Sequence, residues 1–235
     1  MLRTRYHLAA GLSRDKDVLE VACGAGLGLS LLRRYAATVV GGDRDEEVLQ
    51  YVGRPPRDGI RLLRLDAHAL PFADRSFDVV VLFEALYYLA APERFVAEAR
   101  RVLRPHGALV ICTANRDWHG FNPSPFSHRY FSAPELHALL ASAGFTTETF
   151  AGFPVQAAGL TGRTLLWARG IAVRLRLIPA TMKGKELLKR LVYGKLEAIP
   201  TDIGEEAGEP GALVPLRDTE PASGYKVVYA VGRLP

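Results

Sequence analysis

Residues 18–28 read VLEVACGAGLG and decide the fold of this chain of 235 residues. The first five positions, 18–22, form a short apolar run typical of a buried strand, and a glycine-rich stretch follows directly. A helical pattern occupies residues 27–35. The stretch therefore predicts a strand, a tight turn and a helix, with Gly24 and Gly26 leaving room for a ligand to lie against the main chain.

The same alternation continues outward from this stretch. Further strands are predicted at residues 38–43, 60–66, 77–83, 108–113, 145–150 and 225–231. Further helices are predicted at residues 46–52, 92–103 and 132–144, the last with a capped start at Ser132-Ala-Pro-Glu135. Strands that alternate with helices in this way predict an α/β fold, in which a mostly parallel sheet carries helices on both faces.

Residues 152–223 differ from the rest of the chain in composition. Residues 161–195 hold nine Lys or Arg against one acid, and residues 196–222 hold seven acids against one base. We therefore predict a core of residues 1–151 and 224–235 and a mainly helical inserted lid at residues 152–223. Three interpretations of the basic part stay open: a solvated surface, a cover for an anionic acceptor, and a weak contact with an anionic membrane surface.

Composition excludes several classes of protein. The chain is 49% apolar and 23% charged, which argues against intrinsic disorder, and no stretch approaches the ~20 apolar residues of a membrane span. Cys23 and Cys112 are the two cysteines, too few for a disulfide scaffold or a zinc site of several thiolates. We expect a cytoplasmic protein without a metal site. The basic amino terminus, with Arg3 and Arg5, is expected to be frayed.

The spacing of the glycines separates two kinds of nucleotide site. A dinucleotide fingerprint needs glycines at the first, third and sixth positions, but the sixth position counted from Gly24 is Leu29. No Lys-Ser/Thr pair closes the turn, as a triphosphate-binding loop requires. The pattern here is instead G-x-G-x-G.

The stretch VLEVACGAG resembles motif I of the class I S-adenosylmethionine-dependent methyltransferases, in particular the small-molecule, ubiquinone- and sterol-methyltransferase-like type 11 group. Asp43 follows Gly24 by nineteen residues, where the family typically has an acid. Further segments that are similar to the family lie at residues 66–72, 76–87 and 98–107. The resemblance implies a Rossmann-like sheet of seven strands with an antiparallel last strand. The family usually has glycine at the positions of Ala22 and His106.

The resemblance also implies S-adenosylmethionine as cofactor and S-adenosylhomocysteine as product. Carboxylates at successive strand ends would accept its hydrogen bonds: Glu20 from the methionine ammonium, Asp43 from the ribose and Asp66 from the adenine amino group. The other residues expected to bind the cofactor are Ala22, Cys23, Gly24, Gly26, Arg44, Ala67 and Phe83.

The acceptor is expected beside the loops that follow the fourth and fifth strands. His119 is our first candidate for a general base, because imidazole titrates near neutral pH, and Tyr88 and His128 are the alternatives. Residues expected to contact the acceptor are Tyr87, Asn115, Trp118, Phe121, His128 and Tyr130.

The sequence thus predicts methyl transfer to an oxygen or nitrogen of a small molecule, with a sugar or a secondary metabolite favoured. Nucleic acid is not expected as a partner, since the positive charge is local and is followed by acids. Two alternatives stay open: a nicotinamide-dependent oxidoreductase with a similar core, and a catalytically silent module that binds S-adenosylmethionine. The sequence predicts no oligomeric state.

Overall fold

A computed structural model describes residues 1–50, 59–155 and 210–235. The strands within these residues are β1 (Asp17–Val21), β2 (Thr38–Asp43), β3 (Ile60–Arg64), β4 (Phe77–Phe83), β5 (Leu103–Ala114), β6 (Thr146–Pro154), β7 (Leu213–Leu216) and β8 (Tyr225–Arg233). They form one sheet in the order β3-β2-β1-β4-β5-β8-β6-β7. The first five in this order are parallel, and β8 is antiparallel to both of its neighbours. The mostly parallel sheet and the antiparallel last strand are confirmed.

The helices of the described residues are α1 (Leu2–Leu12), α2 (Leu29–Arg33), α3 (Glu46–Leu49), α4 (Pro92–Val102) and α5 (Ala133–Ser142), and a 3-10 helix covers Leu86–Tyr88. The predicted start of α5 is confirmed as a capping box: the Ser132 hydroxyl accepts from the Glu135 amide, and the Glu135 carboxylate accepts from the Ser132 amide. None of the described helices is long and apolar enough to cross a lipid bilayer.

Two hydrophobic cores lie on opposite faces of the sheet. Strand β4 is buried on both faces, because Val79 and Val81 join one core while Val80 and Leu82 join the other. The first core is completed by α1 and α2, and the second by α4 and α5. This arrangement confirms the prediction of helices on both faces.

The amino terminus differs from the prediction of a frayed segment, because residues 2–12 form α1. Tyr6, Ala9 and Ala10 are buried against the sheet, and the Tyr6 ring meets the Phe83 ring edge-on at 5.1 Å. The prediction was wrong because it considered the charged residues and overlooked this apolar side of the helix.

The sheet has eight described strands, one more than predicted. The additional strand, β7, comes from the segment assigned to the lid, and β6 extends past the predicted core boundary at residue 151 to Pro154. A run of four residues that contains Pro215 gives no clear strand pattern, but an edge strand tolerates proline because one side of its backbone is unpaired. The helical lid itself stays a prediction, since residues 156–209 lie outside the described residues.

Candidate functional site

A cavity lies at the carboxyl ends of the parallel strands. Strand β1 pairs with β2 on one side and with β4 on the other, so the order of the chain reverses between β1 and β4. Open α/β sheets bind ligands at such a point. The cavity has a volume of about 390 Å³, within the usual range for small-molecule sites. The predicted site residues in its wall are Ala22, Asp43, Arg44, Asp66, Ala67, Phe83, Tyr88 and His128.

The turn after β1 has a left-handed backbone at Ala22, Gly24 and Gly26, with φ of 57°, 55° and 67°. A Cβ atom added to Gly24 would meet no heavy atom within 4 Å. The backbone conformation, rather than crowding by the protein, therefore accounts for glycine at this position. The open space beside Gly24 also leaves its main chain accessible to a ligand.

Asp43 joins this turn to the end of β2. Its Oδ2 accepts a hydrogen bond from the Gly24 amide at 2.8 Å, and its Oδ1 accepts one from the Asp45 amide at 3.0 Å. Each carboxylate oxygen can accept about two hydrogen bonds, so each retains capacity for one more. A pair of vicinal hydroxyls, as in a ribose, fits this oriented pair of acceptors.

Asp66 follows β3 and is oriented by His68. Its Oδ1 accepts from the His68 amide at 2.9 Å and from His68 Nδ1 at 2.8 Å, and these hydrogen bonds hold its pKa below the usual range. The other ring nitrogen, Nε2, accepts from the Ala91 amide at 3.3 Å, which assigns the proton to Nδ1. The Asp66 side chain is 53% exposed. Because His68 donates to Oδ1 of Asp66, the other oxygen of this carboxylate is available to accept a hydrogen bond from an exocyclic amino group.

Glu20, in β1, and Cys23, in the turn that follows it, are buried and lie outside the cavity wall. Glu20 is 2% exposed and accepts a hydrogen bond from the Tyr6 hydroxyl, while its Oε2 is buried without a hydrogen-bond partner among the described residues. Burial raises the pKa of Glu20 to about 7. Burial likewise raises the pKa of the Cys23 thiol. Glu20 thus contacts α1, a helix that the sequence analysis did not predict, and its contact with an ammonium stays a prediction.

Glu84 is a wall residue that the sequence analysis missed. It follows β4 directly with φ of 53°, and its Oε2 accepts a hydrogen bond from the Tyr87 hydroxyl at 3.1 Å. Its Oε1 lies 3.6 Å from Arg5 Nη1. Burial raises the pKa of Glu84, and the Arg5 charge opposes that shift. The signal in the sequence was a charged residue directly after the five apolar residues 79–83.

The aromatic residues on the acceptor side form one cluster. Tyr130 stacks on Tyr87 with ring centres 4.9 Å apart, and Phe121 meets Tyr130 edge-on at 4.7 Å. Tyr88 meets Tyr87 edge-on at 4.5 Å and is 51% exposed at the cavity. Tyr87 is held by Glu84, so this cluster is attached to the cavity wall at two points.

Six residues predicted for the acceptor side lie outside the cavity wall: Tyr87, Phe121 and Tyr130 belong to the aromatic cluster, and the other three are Asn115, Trp118 and His119. Asn115 is fully buried, and its amide group donates to the carbonyls of Ala222 and Tyr225 at 2.7 and 2.8 Å, so it connects the end of β5 to the start of β8. Trp118 lies beside Lys226, with the ammonium 6.0 Å from the ring centre. His119 is exposed and is not among the residues that line the cavity. The structure therefore does not bring these three together with Tyr88 and His128.

Comparison with known proteins identifies a methyltransferase domain in this chain. Residues 19–111 match the type 11 family model described as a methyltransferase domain. A probable S-adenosylmethionine-dependent methyltransferase of Mycolicibacterium smegmatis is 40% identical over 154 residues, which cover 63% of this chain and 58% of that protein. The phthiotriol/phenolphthiotriol dimycocerosates methyltransferase 1 of Mycobacterium ulcerans is 43% identical over 111 residues, which cover 46% of this chain and 40% of that protein. The chain thus matches less than two thirds of the length of either relative.

Solved structures share the fold. A methyltransferase of Thermotoga maritima, described as a possible histamine N-methyltransferase, superposes with a TM-score of 0.63 at 17% identity, covering 99% of this chain and 89% of that one. An S-adenosylmethionine-dependent methyltransferase of Mesorhizobium loti gives a TM-score of 0.59 at 16% identity, covering 97% and 95%. These likenesses show the fold. Residues 19–111 are similar to the methyltransferase domain of S-adenosylmethionine-dependent methyltransferases, enzymes whose cofactor is S-adenosylmethionine.

Proposed function

We propose that this chain transfers a methyl group from S-adenosylmethionine to an oxygen or nitrogen atom of a small molecule. The observation that carries the proposal is a single cavity with two kinds of wall. On one side lie the strand-end carboxylates of Asp43 and Asp66, and on the other lie Tyr88 and His128. Such a cavity brings a cofactor and an acceptor into contact.

On the cofactor side, the described residues match the polar groups of S-adenosylmethionine. Asp43 would hold the ribose hydroxyls, and Asp66 with the buried Ala67 would hold the adenine. Phe83, at the end of β4, also lines the cavity. The cofactor supplies a methyl group that its sulfonium already activates, so the protein has to align the two reactants and exclude water.

On the acceptor side, a hydroxyl acceptor needs a base and a neutral amine does not. His128 and Tyr88 lie in the cavity wall and are therefore better placed than His119 to take a proton. The His128 amide donates to the Tyr87 carbonyl at 2.8 Å, which fixes the backbone of His128 beside the aromatic cluster. We propose that an imidazole nitrogen of His128 receives the proton of a hydroxyl acceptor.

We favour a sugar or a secondary metabolite as acceptor. The aromatic cluster of Tyr87, Tyr88, Phe121 and Tyr130 supports an acceptor with flat apolar surface, because aromatic rings stack on such surfaces. The relative from Mycobacterium ulcerans is named for phthiotriol and phenolphthiotriol dimycocerosates. An acceptor panel should therefore contain glycosides, phenols and hydroxylated lipids.

Isothermal titration calorimetry of the whole chain with S-adenosylhomocysteine and with NAD tests the cofactor assignment. We expect saturable binding of S-adenosylhomocysteine and none of NAD. The opposite result would establish the nicotinamide-dependent alternative. Incubation with S-adenosylmethionine and the acceptor panel, followed by mass spectrometry, tests the reaction. Binding without a methylated product from any member would favour the silent module.

A further inference from the structure

Glu84 carries a combination of features that the fold alone does not require. Its φ of 53° is a conformation that glycine adopts more easily, and its carboxylate is largely buried at the end of β4. The burial is balanced by Arg5, whose guanidinium is itself only 18% exposed and lies beside the Phe83 ring. A glycine would avoid both the strain and the desolvation, so the presence of a carboxylate points to a use for its charge.

The position of Glu84 indicates which charge it meets. Asp66, Asp43 and Glu84 lie at the carboxyl ends of β3, β2 and β4, and the glycine turn lies at the end of β1 between the last two. Neighbouring strands are about 4.8 Å apart, so these groups form a row along one edge of the sheet. With Asp66 and Asp43 assigned to the adenosine, Glu84 stands at the far end of the row.

Glu84 is also the carboxylate of the row that adjoins the acceptor side. It shares the cavity wall with Tyr88 and His128, and its Oε2 is held by Tyr87 of the aromatic cluster. The reacting sulfur has to lie where the cofactor side and the acceptor side meet. Glu84 occupies that junction, whereas the ammonium at the end of the methionine does not have to lie there.

We propose that the Glu84 carboxylate is the counter-charge for the cationic sulfur of S-adenosylmethionine and makes the cavity discriminate between this sulfonium and the neutral thioether of S-adenosylhomocysteine. The inference rests on the proposed function. The Arg5 charge opposes neutralisation of the buried carboxylate, and the Tyr87 hydroxyl donates to one of its oxygens. Glu84 therefore acts as a residue that selects the charged methyl donor.

The test compares the affinities of the two compounds by titration calorimetry in the wild-type chain, in Glu84→Gln and in Glu93→Gln. Glu93 is a matched control, because it lies outside the cavity wall at the start of α4 with its side chain 61% exposed. We expect Glu84→Gln to weaken S-adenosylmethionine binding at least tenfold and to change S-adenosylhomocysteine binding less than threefold. Glu93→Gln should change neither affinity.

Equal weakening of both compounds would overturn the inference, since it would assign Glu84 to the ammonium that both contain, and unchanged affinities would overturn it as well. Glu84→Gly provides a second variant, because glycine suits the backbone at this position and preserves folding. It should show the same selective loss. A wild-type chain that binds neither compound would overturn the proposed function. If the wild-type chain binds both compounds and the variants keep the same ratio of the two affinities, this inference alone would be overturned.

Discussion

The two sides of the cavity are built differently. On the cofactor side, Asp43 and Asp66 are oriented by backbone amides: those of Asp45 and His68 lie two residues further along the chain, and that of Gly24, which binds Asp43, lies in the turn after β1. On the acceptor side, Tyr87, Tyr130 and His128 come from two loops that meet through ring stacking and a backbone hydrogen bond. The cofactor side is thus defined by backbone amides at strand ends and the acceptor side by contacts between two loops, so substitutions should have separable effects on the two.

The largest expected effect is on the cofactor side. Asp43→Ala removes both acceptors for the ribose and the partner of the Gly24 amide. Two charge-assisted hydrogen bonds are worth about 1.5–3 kcal/mol each, so S-adenosylhomocysteine affinity should fall at least about 100-fold in calorimetry. Asp218→Ala, an exposed aspartate between β7 and β8, serves as the control. An affinity within threefold of wild type in Asp43→Ala would remove Asp43 from the site.

The second effect concerns the stability that Glu20, the buried carboxyl of β1, contributes to the folded chain. Because the pKa of Glu20 is raised to about 7, its neutral form stabilises the folded chain, and this contribution is lost as the pH rises from about 4.5 through 7. The shift corresponds to about 3 kcal/mol. Glu20→Gln, which has no charge to desolvate, should therefore gain about 3 kcal/mol of unfolding free energy relative to wild type between pH 4.5 and pH 8. Urea denaturation at both pH values measures this difference.

Glu148→Gln is the control for that experiment, since Glu148 is 60% exposed on β6. Its difference from wild type should be the same at both pH values. A Glu20→Gln difference that is equally independent of pH would show that Glu20 is ionised in the folded chain.

The third effect separates two histidines of the acceptor side. His128 lines the cavity and His119 does not, although both are exposed and lie on the same loop. A general base contributes about 100-fold or more to turnover. With a hydroxyl acceptor, His128→Ala should lower kcat at least about 100-fold and leave S-adenosylhomocysteine affinity unchanged, while His119→Ala should keep its turnover. The reverse pattern would restore His119 as the base.

The contrast between the two sides also explains how far the sequence could predict the site. Strand ends are visible in a sequence, and parallel strands bring their carboxyl ends together, so Asp43 and Asp66 could be placed in the cavity. Glu20 could not, because its partner Tyr6 belongs to a helix whose burial shows only in three dimensions. Asn115 lies at a strand end, as Asp43 does. The carbonyls that accept hydrogen bonds from its amide group are more than a hundred positions away in the sequence, so its structural role could not be predicted.

The smallest expected effect tests two positions at which the methyltransferases that this chain resembles usually have glycine. Ala22 and His106 both have a left-handed backbone, with φ of 57° and 61°. Such a conformation costs a residue other than glycine about 1–2 kcal/mol, and a change to glycine removes that cost. Glycine also makes the unfolded chain more flexible, which lowers the gain in stability by about 0.4–1 kcal/mol. Ala22→Gly and His106→Gly should therefore each raise the free energy of unfolding by about 0.5–1 kcal/mol.

The same substitution in a helix should have the opposite sign. His7→Gly lies inside α1, where glycine costs about 0.3–0.5 kcal/mol relative to histidine, so His106→Gly and His7→Gly form a matched pair in thermal or urea unfolding. A loss of stability in His106→Gly would mean that its imidazole contributes more than the backbone strain costs. Ala22→Gly should in addition leave S-adenosylhomocysteine affinity intact, because the turn it joins is held by Gly24 and Asp43 rather than by the Ala22 methyl group.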